Sequence, residues 1–169
     1  MSDGFGTQDF VARRLAARAE LDAMKPQLAL EGDALEAACL RRYSTAYELA
    51  EGDPAKIPWA GLAPNPALAQ WLARNDCLQG KRALDVGCGL GDNAEALAAA
   101  GATVTAFDCA ERAVEWASKR FPKSDVSYVS ANLLEAPREW DRAFDFVHEC
   151  YTVQALPEAF HDRMARAPL

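Results

Sequence analysis

One stretch limits the architecture of this chain more than any other: ALDVGCGLGDNAEALAAAGATVTAFDCAE, residues 83–111. An apolar run enters three glycines, passes into an alanine-rich segment, and returns as a second apolar run ending in an acid. Read in order, these are a strand, a tight turn, a helix and a second strand. Such a series buries its apolar faces as a parallel pair joined by a right-handed crossover. The same alternation continues downstream. AERAVEWASKRF reads as a helix stopped by Pro122, VSYVSANLL as a third strand with its outgoing loop, and AFDFVHECY as a fourth. LPEAFHDRMARA begins one more helix. The class is therefore α/β, a doubly wound and mostly parallel sheet.

The first 50 residues read as helix only. TQDFVARRLAARAELDAM sets Phe10, Val11, Leu15 and Ala19 on one stripe, with Arg13, Arg14, Arg18 and Asp22 largely off it. Pro26 limits that helix. GDALEAACLRRYSTAYELA takes Asp33 as its N-cap and places Leu35, Cys39, Tyr43 and Tyr47 near one face. EGDPAKIPWAGLAPNP follows, and its four prolines and two glycines rule out regular structure. PALAQWLARND is a further short helix. At 169 residues the chain suits one domain, with residues 1–58 as a helical cap and lead-in and residues 59–169 as the α/β core.

Composition narrows the partners. A formal net charge of -7 argues against a nucleic-acid backbone, whose binders carry a basic face. No apolar run reaches the ~20 residues of a membrane span. The N-terminus lacks the basic-then-apolar order of a secretion signal. Five cysteines, an odd count with no CxxC, indicate neither zinc nor a disulfide framework, and a reducing cytoplasm is the expected location.

The glycine turn carries the chemistry. Gly87, Gly89 and Gly91 let backbone approach a ligand, and the helix start that follows favours a negative ligand group. The dinucleotide fingerprint needs its third glycine at position 92, which is Asp92. That carboxylate would repel a pyrophosphate, and Asp85 at the end of the first strand adds to the negative charge. The pocket suits a ligand with an ammonium group better than one with two phosphates.

On these residues the chain resembles the class I S-adenosylmethionine-dependent methyltransferases. LDVGCGLGDNAEAL and VTAFDCAERAVEWA are similar to the first two motifs of that class. The resemblance implies a Rossmann-like sheet and S-adenosylmethionine as cofactor. The glycine loop, with Cys88 in it, would pass under the methionine and ribose. Asp108 would accept from the ribose hydroxyls, Asp85 would lie near the methionine amino group, and Cys109 would flank the adenine. Asn132 stands where the family usually has an aspartate facing the adenine amine, with Leu133 beside it. Glu149, Cys150 and Tyr151 occupy the fourth-strand exit, where the family faces cofactor and acceptor. YELAEGDPAKIPWAGLAPNPALAQWL resembles the thiopurine and thiol methyltransferase-like branch, in which a tryptophan, here Trp59, closes over the cofactor. That branch acts on small molecules.

Blander readings stand beside these. His148 and Glu149 point to opposite faces of a strand, so His148 reads as a buried or edge histidine rather than a general base. No catalytic base is assigned. His161, in a charged helix, reads as solvated. Cys88 fits as a small residue between backbone and ligand. Trp71, Trp116 and Trp140 read as core or surface-covering residues.

Members of the class continue into three more strands, so the fold is expected to be truncated after the fourth. The open edge of that strand would then pair with a second copy, be covered by the N-terminal helices, or aggregate. The reading is a methyltransferase acting on a small molecule, a thiol among the candidates. The rivals are a non-catalytic cofactor-binding or regulatory subunit and a nicotinamide-dependent oxidoreductase.

Overall fold

Branched and aromatic residues between glycine and proline breaks give short strands, and alanine- and arginine-rich runs give the helices between them. The computed structural model describes residues 7–25 and 30–165. Pro26, expected to limit the first helix, lies outside the described residues. The chain divides into two compact units, Met1–Ala60 and Gly61–Leu169. Trp59, which the sequence reading grouped with the core, therefore belongs to the first.

The first unit holds α1 (Gln8–Ala23), α2 (Gly32–Ala50) and a single 3-10 turn (Pro54–Lys56). Thr7 caps α1, its hydroxyl accepting from the Phe10 amide at 3.2 Å. The expected apolar stripe is not the buried face of this helix. Phe10 and Leu21 are buried, whereas Val11 and Leu15 are exposed. Arg14 decides this: its guanidinium lies 4.7 Å above the Phe10 ring and donates to the Ala60 carbonyl at 2.5 Å. An arginine can occupy an inward face when its stem packs and its head finds carbonyls. Asp33 is not the cap of α2; it sits in the first turn, and Glu31 takes the cap position without a side-chain bond. The proline-rich stretch does hold one turn of helix. Asp53 accepts from the Ala55 amide at 3.0 Å, and Pro54 suits a first helical position.

The second unit runs α3 (Pro66–Leu72), β1 (Arg82–Val86), α4 (Asp92–Ala99), β2 (Thr103–Asp108), α5 (Glu111–Arg120), β3 (Ser127–Ser130), β4 (Phe146–Glu149) and α6 (His161–Ala165), with short 3-10 turns before and after β4. The four strands are all parallel in the order β3-β2-β1-β4, a Rossmann-like half-sheet. β1 is buried from Ala83 to Val86, as a central strand covered on both faces must be. On one face Ala83, Val104 and Ala106 pack with Leu68 of α3 and with Ala94 and Leu97 of α4. Trp140 is buried against Phe107, and Trp71 of α3 stacks on Phe146 at 5.1 Å.

β4 is shorter than its apolar run suggested. Glu149 ends it by accepting from the amides of Thr152 at 2.6 Å and Val153 at 2.9 Å, which turns the chain into a 3-10 segment. His161 is not solvated: its ring nitrogen bonds to the Leu156 carbonyl at 3.2 Å and the residue is half-buried. Among the described residues no helix is long and apolar enough to cross a membrane.

Candidate cofactor and acceptor site

The C-terminal ends of β1, β2 and β4 meet at the glycine turn. Gly87, Gly89 and Gly91 have φ of +66°, +54° and +89°, values open to glycine at little cost. The directions in which side chains would leave Gly87 and Gly91 are filled by protein rather than open to a ligand. A Cβ at 87 would lie 2.2 Å from the Thr152 hydroxyl, and one at 91 would lie 2.5 Å from the Tyr128 hydroxyl. Intramolecular packing therefore fixes glycine at both positions. Thr152 also donates to the Val86 carbonyl at 3.2 Å, and Tyr128 to Glu95 at 2.6 Å. Neither neighbour was legible in the spacing of the glycines.

Asp108, at the end of β2, is only 7% exposed and turned into this loop. One carboxylate oxygen accepts from the Gly89 amide at 3.0 Å, the other from the Ala110 amide at 2.9 Å. Burial pushes its carboxyl up, and the two amides and the Cys109 thiol pull back toward the charged form. The Cys109 thiol is itself pushed up by burial and by the Asp108 charge. Cys88 is buried inside the loop, its thiol raised well above the ordinary range, chiefly by burial. That environment makes it a poor nucleophile.

Asp85 is 1% exposed. In the β1–β4 register it sits opposite His148, whose Nδ1 lies 2.7 Å from Asp85 Oδ1. Its other oxygen, Oδ2, is buried without a hydrogen-bond partner, with the Ala94 amide contributing a favourable field. Burial pushes this carboxyl up too, while the His148 bond opposes the shift. Sequence alternation separated His148 from Glu149 correctly, but missed what the inward face of β4 meets. The signal was available: strand order 3-2-1-4 makes β4 the neighbour of β1, and counting from the strand ends sets 148 beside 85.

The remaining expected residues fall as follows. Asn132 caps a 3-10 turn, its Oδ1 accepting from the Leu134 amide at 3.0 Å, and Leu133 behind it is buried. The Ala131 amide bonds to the Asp108 carbonyl at 3.1 Å, which joins the exits of β2 and β3. Glu149 pairs in register with Val86, but its carboxylate is engaged by its own turn. Trp59 lies in the first unit, its indole N–H donating to the Tyr47 hydroxyl at 2.8 Å and its ring edge-on to Tyr43 and Tyr47. Asp92 does not face the loop as a bare charge. Arg120 of α5 holds it with bonds of 2.8 and 2.9 Å, so the repulsion argued against a pyrophosphate loses much of its force.

Beside the glycine loop, on the β4 side, lies a cleft of about 540 Å³. Trp71 and Phe146 form its aromatic wall, and Asn65, His148 and Cys150 are among its polar lining. Asn65 Nδ2 donates to the Cys150 sulfur at 3.1 Å. Neither the glycine loop nor Asp108 lines this space, so it is a separate compartment at the same end of the sheet.

Residues 83–167 match the methyltransferase domain family. A ubiquinone biosynthesis O-methyltransferase of Aromatoleum aromaticum is 38% identical over 96 residues, which is 56% of this chain and 41% of that protein. A solved structure from work on the conversion of a disulfide bond into a thioacetal group during echinomycin biosynthesis is 28% identical. It has a TM-score of 0.57 and covers 64% of this chain and 45% of that one. A structure from Methanococcus maripaludis assigned to the S-adenosyl-L-methionine-dependent methyltransferases shares the fold with a TM-score of 0.53 at 19% identity, covering 77% of this chain and 58% of that one. The chain belongs to the methyltransferase domain family, within the class I S-adenosylmethionine-dependent methyltransferases. It spans less than half the length of the curated relatives it matches.

The residues present fit the cofactor of that class. Its ammonium group needs a carboxylate, and Asp85 offers a buried oxygen without a partner. Its ribose needs acceptors, and each Asp108 oxygen, with one amide bound, retains a second lone pair.

Proposed function

We propose that this chain binds S-adenosylmethionine and transfers its methyl group to a small-molecule acceptor, with oxygen as the accepting atom. One observation carries the reading: the bond from the Gly89 amide to Asp108 ties the glycine loop to the exit of β2, inside the segment that matches the family. Asp85 would hold the cofactor's amino group, Asp108 its ribose, and Cys109, Asn132 and Leu133 its adenine. Bound there, the cofactor supplies an electrophilic methyl group on a sulfonium. The chain's part is to bind, orient and exclude water, from which most of the rate gain in such a displacement comes. The two buried carboxylates also favour a cationic ligand over a neutral one.

Isothermal titration with S-adenosylhomocysteine, the demethylated product, tests the reading. Saturable heat is expected, and its loss in Asp108→Ala. No heat at millimolar ligand would overturn it.

Oxygen is supported by the O-methyltransferase named among the relatives. A sulfur acceptor, as in the thiopurine and thiol branch, is the second reading, and the thioacetal-related structure at 28% identity favours it. The two separate on proton chemistry. A thiol ionises readily enough for its minor thiolate fraction to react, whereas a hydroxyl needs a group to take its proton.

A further inference from the structure

The geometry points to His148, oriented by Asp85, as the group that takes the proton from a phenol-type hydroxyl bound in the cleft beside β4. This deepens the methyltransferase reading and rests on it.

An ionised carboxylate can only accept, so in the neutral tautomer of His148 the 2.7 Å contact places the ring proton on Nδ1. Nε2 then carries the lone pair. It has no partner among the described residues and is not among the sealed polar atoms. The ring lines the cleft and its side chain is 11% exposed, so Nε2 is the nitrogen left to face that space. Asp85 holds the ring in this orientation and stabilises the imidazolium that forms, the role of the acid in a carboxylate–histidine pair.

The cleft itself selects the substrate class. Trp71 and Phe146, stacked on each other at 5.1 Å, give the cleft an aromatic, apolar side, while Asn65 and His148 supply polar groups. An aromatic ring carrying a hydroxyl meets both requirements. In the step itself, the hydroxyl oxygen forms its bond to the methyl carbon as the carbon–sulfur bond breaks. That electron pair neutralises the sulfonium, and the O–H proton passes to Nε2. The other titratable groups acting on Asp85 are Cys88 in the loop, Asp108 on β2, Tyr128 on β3 and Cys150, while Glu149, Cys150 and Tyr151 line the cleft with His148. α3 brings none, and Asp92 and Glu95 of α4 are held by Arg120 and Tyr128.

The test uses the full chain, 4-nitrophenol as probe and the absorbance of its phenolate as readout. Bound probe is expected to ionise about one pH unit below free probe. His148→Asn should abolish that shift while retaining binding, and Asp85→Asn should reduce it. Nitrogen-15 spectra add a readout independent of ligand. With only two histidines in the chain, His161→Asn assigns the signals, and His148 should show a protonated Nδ1 that Asp85→Ala loses. Three outcomes overturn the proposal: an unchanged shift in a folded His148→Asn protein, no binding of 4-nitrophenol at millimolar concentration, or a protonated Nε2 in the unmodified chain. S-adenosylhomocysteine titrated into the same samples separates the two claims, since its failure to bind would sink the methyltransferase reading itself.

Discussion

Asp85 and Asp108 lie on the same face of one sheet, near the same end, and both are buried. Their surroundings differ in one respect. Asp108 has a backbone amide on each oxygen, and those amides belong to the loop it anchors. Asp85 has one oxygen on a side chain that can change its protonation state, and the other has no partner. A carboxylate satisfied by backbone shapes the loop; one paired to a histidine and left with an open site is suited to chemistry. The β2 exit is thus scaffold first, and the β1–β4 seam is where reactivity collects.

The largest expected effect breaks the scaffold side of this contrast. Asp108→Ala strips the partners from two buried amides, each costing about 1–3 kcal/mol when left unpaired, so a loss of about 3 kcal/mol is expected. Urea unfolding measures it. A variant as stable as the parent chain would mean that the loop holds its shape without Asp108.

Next comes the glycine turn itself. Gly91→Ala places a methyl group 2.5 Å from the Tyr128 hydroxyl at a φ of +89°. Strain and overpacking together should cost about 2–3 kcal/mol. Adding Tyr128→Phe should return part of that, because it removes the oxygen in the way while the backbone strain stays. Equal stability of single and double variants would show that φ alone matters.

These two tests also mark how far the sequence could be read. Periodicity and glycine placement gave the strand order's ingredients, and Asp108 stood out because it ends an apolar run one crossover after the turn. What escaped were contacts made across the sheet by residues far apart in the chain. Thr152 over Gly87, Tyr128 over Gly91 and Arg120 on Asp92 depend on register and loop path, which no local pattern encodes. His148 escaped for a related reason: alternation predicts which face a strand residue takes, but not who waits there. In the first unit the error had the opposite sign. The pattern made Val11 and Leu15 core, and a single arginine with carbonyls to reach turned the helix away from them.

A smaller effect sharpens the seam side of the comparison. Asp85→Asn keeps the shape and an acceptor for Nδ1–H, removes a buried charge, and adds an amide donor where Oδ2 found nothing. The lost charge assistance and the relieved desolvation act against each other, so the net change should be about 1 kcal/mol or less. Urea midpoints for Asp85→Asn and Asp108→Ala, measured side by side, check the ordering. If Asp85→Asn proves the more damaging, the seam is structural and its open oxygen is incidental.

The smallest effect is in pH. Burial raises both carboxyls above their ordinary value, so the folded chain holds their protons more tightly than the unfolded chain does. Between the ordinary and the raised value the folded state binds more protons, and stability therefore falls as pH rises through that window. Asp22, held low by Lys25, and Asp145, held low by the Arg82 amide, have the opposite sign. Their contribution is present above the ordinary carboxyl value and is lost as pH falls below it. Melting temperature should thus climb by about 1–3 °C as pH falls toward the ordinary carboxyl value and turn over below about pH 4. Relief of the repulsion in a chain of net charge -7 acts in the same direction, so the climb alone proves little. The discriminating measurement is the slope in Asp85→Asn and in Asp108→Asn. Each should flatten it, and an undiminished slope in both would assign the effect to surface repulsion and leave the two buried carboxylates without a part in it.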